Sequence, residues 1–221
     1  MKQASPIHAS LEHVVFYPEK SAKKYPTVIA LHGRGTDELD LIPLFLSLGR
    51  TDVMIISPRA PLPFSFGGFT WYSQSQEWAP EPQSFRSSVD LLRKFISETS
   101  NGYPVNTREL VLLGFSQGTV MAYAVGLVDP SSFRGVVALS GYVPHHSGLP
   151  LNLRILEGFP VFISHGTYDE VIPVKFGREA EELLKGAGAE VTYREYPMAH
   201  EVGENTIRDL ASWMNKLVKQ V

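Results

Sequence analysis

The sequence predicts an α/β fold in which helices cover both faces of a mostly parallel central sheet. Short continuous apolar segments, typical of strands buried on both faces, alternate with segments whose apolar residues recur at helical spacing. The chain has 221 residues, of which 43% are hydrophobic, and is long enough to bury a large core. It shows neither an internal repeat nor a charged linker, so we expect a single domain over residues 1–221.

The predicted strands are short apolar or alternating segments that end at glycine, proline or a polar residue. In chain order they are Leu11–Tyr17, Thr27–Leu31, Val53–Ile56, Leu110–Leu113, Gly135–Leu139, Val161–Ser164 and Glu190–Tyr196. Because most of them are continuously apolar rather than alternating, they favour a parallel sheet that is covered on both faces.

The predicted helices lie between these strands and after the last one. They are Glu38–Gly49, Ser84–Ser100, Gln117–Val128, Val174–Lys185 and Glu201–Lys219. In the first of them, Thr36 or Asp37 is the expected N-cap. Pro43 is expected near the first turn, because proline lacks the N–H that an interior position requires.

Residues Pro58–Pro82 have no clear period, and we predict an irregular, aromatic-rich loop that lies over the functional site. The segment holds five prolines, three phenylalanines, two tryptophans and a tyrosine. Long irregular loops in compact domains are often lids or binding loops. The same aromatic side chains could instead pack over a sheet edge as a small satellite core, and the sequence leaves both interpretations open.

Composition argues against several classes of function. The chain has no cysteine, which excludes disulfides, thiolate nucleophiles and cysteine-ligated metals. Its net charge of −3 gives no basic surplus for nucleic acid. The N-terminus lacks the apolar core of a signal peptide, and no apolar segment approaches the ~18 residues of a membrane span. We therefore expect a cytoplasmic protein without stable membrane association; oligomeric state is left open.

The strongest chemical signal is residues 114–118 (GFSQG), which lie between a predicted strand and a predicted helix. A serine in a G-x-S-x-G sequence at such a turn is typical of a nucleophile. The flanking glycines leave room for a sharp turn and for close helix packing. The hydroxyl of Ser116 is therefore expected above the carboxyl edge of the sheet, as the catalytic nucleophile.

A serine hydroxyl needs a base and an acid that orients the base, and on such a fold they follow the serine in the order acid, histidine. His200 lies between the last strand and the last helix, which places it at the same sheet edge as Ser116. Asp169 follows the end of a strand and is the preferred acid. Glu170 is the alternative acid, and His165 is the alternative, less favoured base.

The oxyanion formed by serine attack needs backbone N–H donors. Residues 31–35 (LHGRG) follow an early strand with small residues, where backbone N–H groups could approach a ligand. The residue after the nucleophile, Gln117, is expected to supply the second donor. No metal is expected, because the adjacent His145 and His146 have no carboxylate near them in the sequence.

Four segments in this order resemble the phospholipase/carboxylesterase family of α/β-hydrolases, which includes the acyl-protein thioesterases. They are residues 31–35 (LHGRG), 114–118 (GFSQG), 165–173 (HGTYDEVIP) and 198–201 (MAHE), and the resemblance runs from about Thr27 to the C-terminus. It implies Ser116 as the nucleophile, Asp169 as the acid and His200 as the base.

The resemblance also implies four auxiliary positions. The backbone N–H groups of Arg34 and Gln117 match the oxyanion donors, and Val171 matches a position that lines the acyl pocket. Trp71, followed by Tyr72, resembles a Trp-aromatic pair and is predicted to bind substrate.

Residues 35–41 (GTDELDL) depart from the thioesterases, which usually have Asp where Thr36 stands, and look more like the bacterial carboxylesterase branch. We therefore predict a cofactor-independent serine hydrolase that cleaves small-molecule esters of short to medium acyl chains. An acyl-protein thioesterase or lysophospholipase is the alternative, and it would need a longer apolar groove. A non-catalytic binding protein of the same fold is disfavoured, because all three catalytic residue types are present.

Overall fold

The fold is that of a computed structural model, which describes residues 1–76, 78–145 and 147–218. The strands are β1 (Lys2–Ala4), β2 (His13–Tyr17), β3 (Tyr25–Leu31), β4 (Met54–Pro58), β5 (Leu62–Pro63), β6 (Phe69–Thr70), β7 (Gln74–Gln76), β8 (Ala79–Pro80), β9 (Val105–Phe115), β10 (Gly135–Leu139), β11 (Pro160–Gly166) and β12 (Glu190–Tyr196). The helices are α1 (Ile42–Ser47), α2 (Pro82–Gly102), α3 (Gln117–Gly126), α4 (Lys175–Gly186) and α5 (Glu204–Leu217), with 3₁₀ turns at Pro130–Ser132 and Leu153–Ile155.

Eight strands form the central sheet in the order β1-β2-β4-β3-β9-β10-β11-β12. The six strands from β4 to β12 in that order are parallel, and β2 and β1 are added antiparallel at one edge. Every residue of β3, β4 and β10 is buried, as the continuous apolar segments predicted. The sheet is therefore mostly parallel, and its β3, β9, β10 and β11 ends meet at one carboxyl edge.

Helices cover both faces of this sheet, which confirms the predicted fold class. One apolar cluster joins the sheet to α2, α3 and α4, and it includes Phe85, Val120 and Leu184. A second cluster on the opposite face joins the sheet to α1 and α5 through residues such as Phe45 and Leu210. Alternate side chains of each central strand thus feed two separate cores.

The predicted strands and helices are all present; Gly135–Leu139 and Glu190–Tyr196 keep their predicted bounds, and the others have shifted ends. The largest difference is α1, which is six residues long rather than the predicted twelve-residue Glu38–Gly49. Pro43 lies in its first turn as predicted, but Leu41 rather than Thr36 or Asp37 occupies the N-cap position. Thr36 instead forms an isolated β-bridge with Phe69, so the backbone at this position pairs with the aromatic segment and does not begin the helix. The predicted last residue of α5, Lys219, lies outside the described residues.

The segment Pro58–Pro82 is more ordered than the predicted irregular loop. It contains two small antiparallel hairpins, β5–β6 and β7–β8, and its last residue begins α2. Its aromatic side chains divide between two environments, since Trp71 is 0% exposed and Phe66 is 90% exposed. The segment is therefore partly a satellite core and partly a surface structure.

Candidate active site

Ser116 lies on the turn between β9 and α3 with a left-handed backbone, φ 55°. Such a conformation costs a non-glycine residue roughly 1–3 kcal/mol, so it persists only where the surroundings impose it. The N–H of Ser116 donates to the carbonyl of Leu139 at 2.9 Å, and α3 follows at once with all ten residues buried. The turn is therefore fixed to β10 on one side and to the core on the other.

Steric crowding explains why glycine occupies positions 114 and 118, on either side of Ser116. A Cβ on Gly118 would lie 1.9 Å from the carbonyl oxygen of Leu31, and one on Gly114 would lie 2.3 Å from the carbonyl carbon of Gly118. Neither position can hold a side chain without movement of the backbone. The close approach of α3 to β3 and β9 thus depends on both glycines of the motif.

Asp169 and His200 are brought together as the sequence predicted. The Nδ1 of His200 donates to Oδ2 of Asp169 at 2.7 Å. The other oxygen, Oδ1, accepts from the backbone N–H groups of Val171 and Ile172 at 3.0 and 2.8 Å. A neutral imidazole that donates from Nδ1 carries its lone pair on Nε2, the atom that a general base uses.

The ring of His200 lies beside the residue that precedes Ser116. Its centroid is 4.9 Å from that of Phe115, and its side chain retains 16% exposure while that of Asp169 has none. A buried acid beneath a partly open imidazole is the order required for a base that meets solvent or substrate. Glu170, the alternative acid, is exposed.

His165, the alternative base, has a different place. It is fully buried, and its Nε2 lies 2.7 Å from the carbonyl oxygen of Ile172 and 3.5 Å from Oδ2 of Asp169. Because a carbonyl only accepts, Nε2 carries the proton. Burial lowers the pKa of His165, so the ring stays neutral. It therefore supports the loop that carries Asp169 and does not face the cleft.

The two predicted oxyanion donors border the same cavity as Ser116. A Cβ on Gly33 would lie 3.6 Å from Cβ of Ser116, so the peptide between Gly33 and Arg34 runs beside the candidate nucleophile. Gln117 is the first residue of α3, where a backbone N–H has no intrahelical acceptor. Two backbone donors are thus available on either side of Ser116.

The side chain of Gln117 is fully engaged away from the cleft. Its Oε1 accepts from Oγ1 of Thr70 at 2.9 Å and from the N–H of Trp71 at 2.8 Å, and its Nε2 donates to the carbonyl of Tyr72 at 2.9 Å. These bonds tie the start of α3 to the segment after β6. Only the backbone N–H of Gln117 is left for a reacting group.

Two cavities meet at this edge of the sheet. The first, of about 150 Å³, is lined by Arg34, Tyr72, Gln74, Trp78, Ser116, Gln117, Tyr142, Val171 and Ile172. The second, of about 570 Å³, is mostly apolar and is bordered by residues that include Phe85, Val143, Phe176 and Leu183. Trp78 and Tyr142 line both cavities. These two side chains therefore form the wall between the candidate catalytic cleft and a larger apolar space.

The two predicted substrate-binding residues, Val171 and Trp71, lie in different environments. Val171 lines the smaller cavity and is 52% exposed. Trp71 lines neither of these two cavities, because its side chain is 0% exposed and its Nε1 donates to the carbonyl of His32 at 2.9 Å. Within the aromatic segment, Tyr72 and Trp78 line the cavity, and Nε1 of Trp78 donates to the carbonyl of Val171 at 3.0 Å.

Sequence reasoning did not select Trp78 or Tyr142 as site residues. Trp78 lies in the aromatic segment, but nothing in the pattern distinguishes it from its neighbours. Tyr142 follows the end of β10 by three residues, and the meeting of strand ends at one sheet edge is the only signal that could have found it.

Two further observations concern metals and membranes. The residues that the structure describes include no group of three or more side chains able to hold a metal ion, and His146 of the His145–His146 pair lies outside them. Within the same residues, no helix is long and apolar enough to cross a membrane.

The chain is similar to known hydrolases over most of its length. The sequence profile of the phospholipase/carboxylesterase family matches residues 12–218. An acyl-protein thioesterase 1 from Yarrowia lipolytica is 29% identical over 221 residues, which cover 92% of this chain and 96% of the relative. The corresponding protein from Debaryomyces hansenii is 30% identical over 178 residues, or 75% of this chain and 76% of the relative. The structure of a carboxylesterase from Bacillus cereus superposes with a TM-score of 0.83 at 24% identity and covers 94% of both chains, which supports the α/β-hydrolase fold.

Proposed function

We propose a mechanism from the premise that the chain belongs to the phospholipase/carboxylesterase family and is therefore a hydrolase of the esterase or thioesterase type. In this proposal it cleaves carboxylic esters of short to medium acyl chains with Ser116, His200 and Asp169. The observation that carries the proposal is the 2.7 Å hydrogen bond from His200 to Asp169, with the imidazole packed beside the strained turn of Ser116.

The first half-reaction transfers the acyl group to the enzyme. Oγ of Ser116 attacks the ester carbonyl carbon while Nε2 of His200 takes the hydroxyl proton. Asp169 stabilises the imidazolium that forms. The negative charge on the carbonyl oxygen is met by backbone N–H groups of residues 34 and 117. Collapse of the tetrahedral species breaks the ester bond, and the leaving alkoxide takes the proton from His200.

The second half-reaction releases the acid. His200 now takes a proton from water, which attacks the carbonyl carbon of the acyl-serine. The same N–H groups stabilise the second tetrahedral species, and its collapse returns the proton to Oγ of Ser116. None of these steps requires a metal or an organic cofactor.

The cavities support the proposed range of acyl chains. The cleft of about 150 Å³ beside Ser116 can hold an acetyl or butyryl group. The apolar cavity of about 570 Å³ lies beyond Trp78 and Tyr142, and it would accept a longer acyl chain if these two side chains moved apart. The similarity to acyl-protein thioesterases favours a second candidate, the hydrolysis of fatty acyl thioesters, which would need the same apolar cavity.

The nucleophile is tested by Ser116→Ala, with Ser140→Ala as a matched control. Ser140 directly follows the neighbouring strand β10, is 1% exposed and also has a positive φ, of 49°. Ser116→Ala should lower kcat by about 10⁶ and abolish labelling by a fluorophosphonate probe, because no other group attacks the carbonyl. Ser140→Ala should keep both labelling and turnover. A folded Ser116→Ala protein that retains more than a few per cent of the activity contradicts the proposal.

The substrate class is tested by kcat/KM for p-nitrophenyl acetate, butyrate and octanoate beside octanoyl and palmitoyl thioesters. The proposal expects the short and medium oxygen esters to be the better substrates. A clear preference for the palmitoyl thioester would instead establish the thioesterase alternative. Absence of both labelling and turnover on all of these substrates would contradict the proposed mechanism.

A further inference from the structure

We propose that His32 is a positioning residue for the oxyanion hole. It orients the backbone N–H of Arg34, because its ring binds the carbonyl oxygen of Gly33, which belongs to the same peptide group. The inference rests on the proposed function, in which the N–H of Arg34 stabilises the oxyanion. His32 is the residue that follows β3, and its side chain is 0% exposed. It therefore acts without contact to substrate.

The tautomer of His32 follows from its partners. The backbone N–H of Ala60 lies 3.0 Å from Nε2 of His32. Because an N–H can only donate, Nε2 must be the unprotonated, accepting nitrogen. Burial lowers the pKa of His32, which keeps the ring neutral, and a neutral ring then carries its proton on Nδ1. The donor end of the imidazole is thereby fixed.

That donor end meets the carbonyl oxygen of Gly33. Nδ1 lies 2.7 Å from this oxygen, and Oγ1 of Thr36 lies 3.0 Å from it. The carbonyl of Gly33 and the N–H of Arg34 belong to one peptide group, which is planar and trans. Its C=O and N–H point in opposite directions, so a bond that holds the oxygen also sets the direction of the N–H.

Further contacts hold His32 on one side and the peptide after Arg34 on the other. Its ring lies 5.5 Å from that of Trp71, whose Nε1 also donates to the carbonyl of His32 at 2.9 Å. On the far side of the peptide, the N–H of Gly35 donates to the carbonyl of Phe69 at 2.8 Å. A donor held in place before the reaction needs no reorganisation when charge develops, which is the condition for effective oxyanion stabilisation.

The test compares His32→Asn with His32→Gln, measured in the full-length enzyme. Asparagine can place its amide N–H near the position of Nδ1, and so keeps a donor for Gly33. Glutamine reaches the position of Nε2, so it can still accept from Ala60 but offers no donor at Nδ1. Both variants lose the ring that packs on Trp71. Asparagine keeps the bond to Gly33 and loses the one from Ala60, whereas glutamine does the reverse, so the inference predicts that asparagine is the more active variant although it leaves the N–H of Ala60 without its acceptor.

We expect His32→Gln to lower kcat by about tenfold to a hundredfold relative to His32→Asn, somewhat below the 10²–10³ that loss of a whole oxyanion donor costs. KM for p-nitrophenyl butyrate should agree within about twofold, because only the transition state carries the oxyanion. The inhibition constant of a trifluoromethyl ketone, which adds to Ser116 and places an oxyanion in the hole, should rise by the same factor as kcat falls.

Equal kcat values in two variants of equal melting temperature would overturn the inference, as would an effect confined to KM. ¹⁵N NMR of the unaltered protein provides a test that needs no variant, since protonation of His32 at Nε2 rather than Nδ1 would also overturn it. Loss of the proposed function is distinguishable, because it would show as activity retained by Ser116→Ala whatever the His32 variants do.

Discussion

Gly118 occupies the most confined position of the nucleophile turn, since a Cβ there would lie 1.9 Å from the carbonyl oxygen of Leu31 and 2.7 Å from that of His32. Gly118→Ala must therefore displace α3 or the end of β3. We expect a loss of at least about 1–3 kcal/mol in the free energy of unfolding, the scale of overpacking, together with a loss of most activity. Urea denaturation and p-nitrophenyl butyrate hydrolysis measure the two effects.

Gly186→Ala is the control for that substitution. Gly186 ends α4, has nothing within 4 Å of an added Cβ and needs no positive φ. It should leave stability and turnover near those of the unaltered protein. If Gly118→Ala were as stable and as active as this control, the steric account of the motif would be wrong.

At the residue scale, the sequence predicted the order and strand-end positions of Ser116, Asp169 and His200, because each follows a recognisable strand. It could not predict which aromatic residues face the cleft. Trp71 and Trp78 lie seven positions apart in a segment without periodicity, so no pattern separates the side chain that is buried from the one that lines the cavity. Burial there depends on contacts with distant parts of the chain, such as the bond from Trp71 to the carbonyl of His32.

The segment between β4 and α2 gives a test at the scale of an element. Trp71 is 0% exposed, so Trp71→Ala should lower the free energy of unfolding by about 3–5 kcal/mol. Its bond to the carbonyl of His32 is lost as well, so acetate and octanoate esters should be affected alike. Phe66→Ala, at a position 90% exposed in the same segment, is the control and should change the melting temperature little. A selective loss with octanoate would support the predicted substrate-binding role of Trp71.

Trp78 should show the opposite behaviour. It lines both cavities and packs on Phe176 at 5.2 Å between centroids. Trp78→Ala removes part of the wall and should raise kcat/KM for the octanoate ester relative to acetate by about tenfold or more, the scale of apolar pocket discrimination. Steady-state kinetics on the two esters measures this ratio. An unchanged ratio would mean that the apolar cavity does not receive the acyl chain.

At the element scale, the sequence predicted the long buried elements and missed the short ones. Strands such as Gly135–Leu139 and Glu190–Tyr196 match the predicted bounds, because burial on both faces or regular alternation leaves a clear pattern. The edge strand β1 and the hairpin strands β5 to β8 have only two or three residues each, too few to show any period. They form because neighbouring strands offer hydrogen bonds.

The whole molecule should lose stability in mildly acidic solution. Burial lowers the pKa values of His13, His32 and His165, whereas the same rings titrate near about 6.5 in the unfolded chain. Between the two values the unfolded state binds more protons, so the free energy of unfolding should be highest above about pH 6.5 and fall as the pH is lowered. Urea denaturation between pH 7.5 and about 5 measures the slope.

Carboxylates do not account for this window. Hydrogen bonds from Arg178 hold the pKa of Glu195 at about 2, and carboxyl groups with lowered pKa values lose their contribution only below about pH 4.5. A variant such as His13→Asn should reduce the slope between pH 6.5 and 5. A flat profile over that range would show that the buried imidazoles take up no protons on unfolding.

At the scale of the whole molecule, the alternation of apolar strands and helices was enough to predict the fold class. It did not predict the strand order. β3 lies between β4 and β9, and β9 is the partner on which the nucleophile turn is built. A continuously apolar strand indicates that both of its faces are covered, but residues Tyr25–Leu31 carry no information on which strands lie beside it.

The complete burial of α3 affects the order in which parts of the molecule unfold locally. All ten of its residues are covered, and β3, β9 and β10 surround the turn from which it starts, so the amide hydrogens of α3 should be among the last to exchange with deuterium oxide. The small hairpins β5–β6 and β7–β8 lie at the periphery and should exchange early. Local opening would thus unfold the two hairpins beside the cleft while Ser116 keeps its position at the start of α3. Activity should therefore decrease in dilute denaturant before the sheet unfolds.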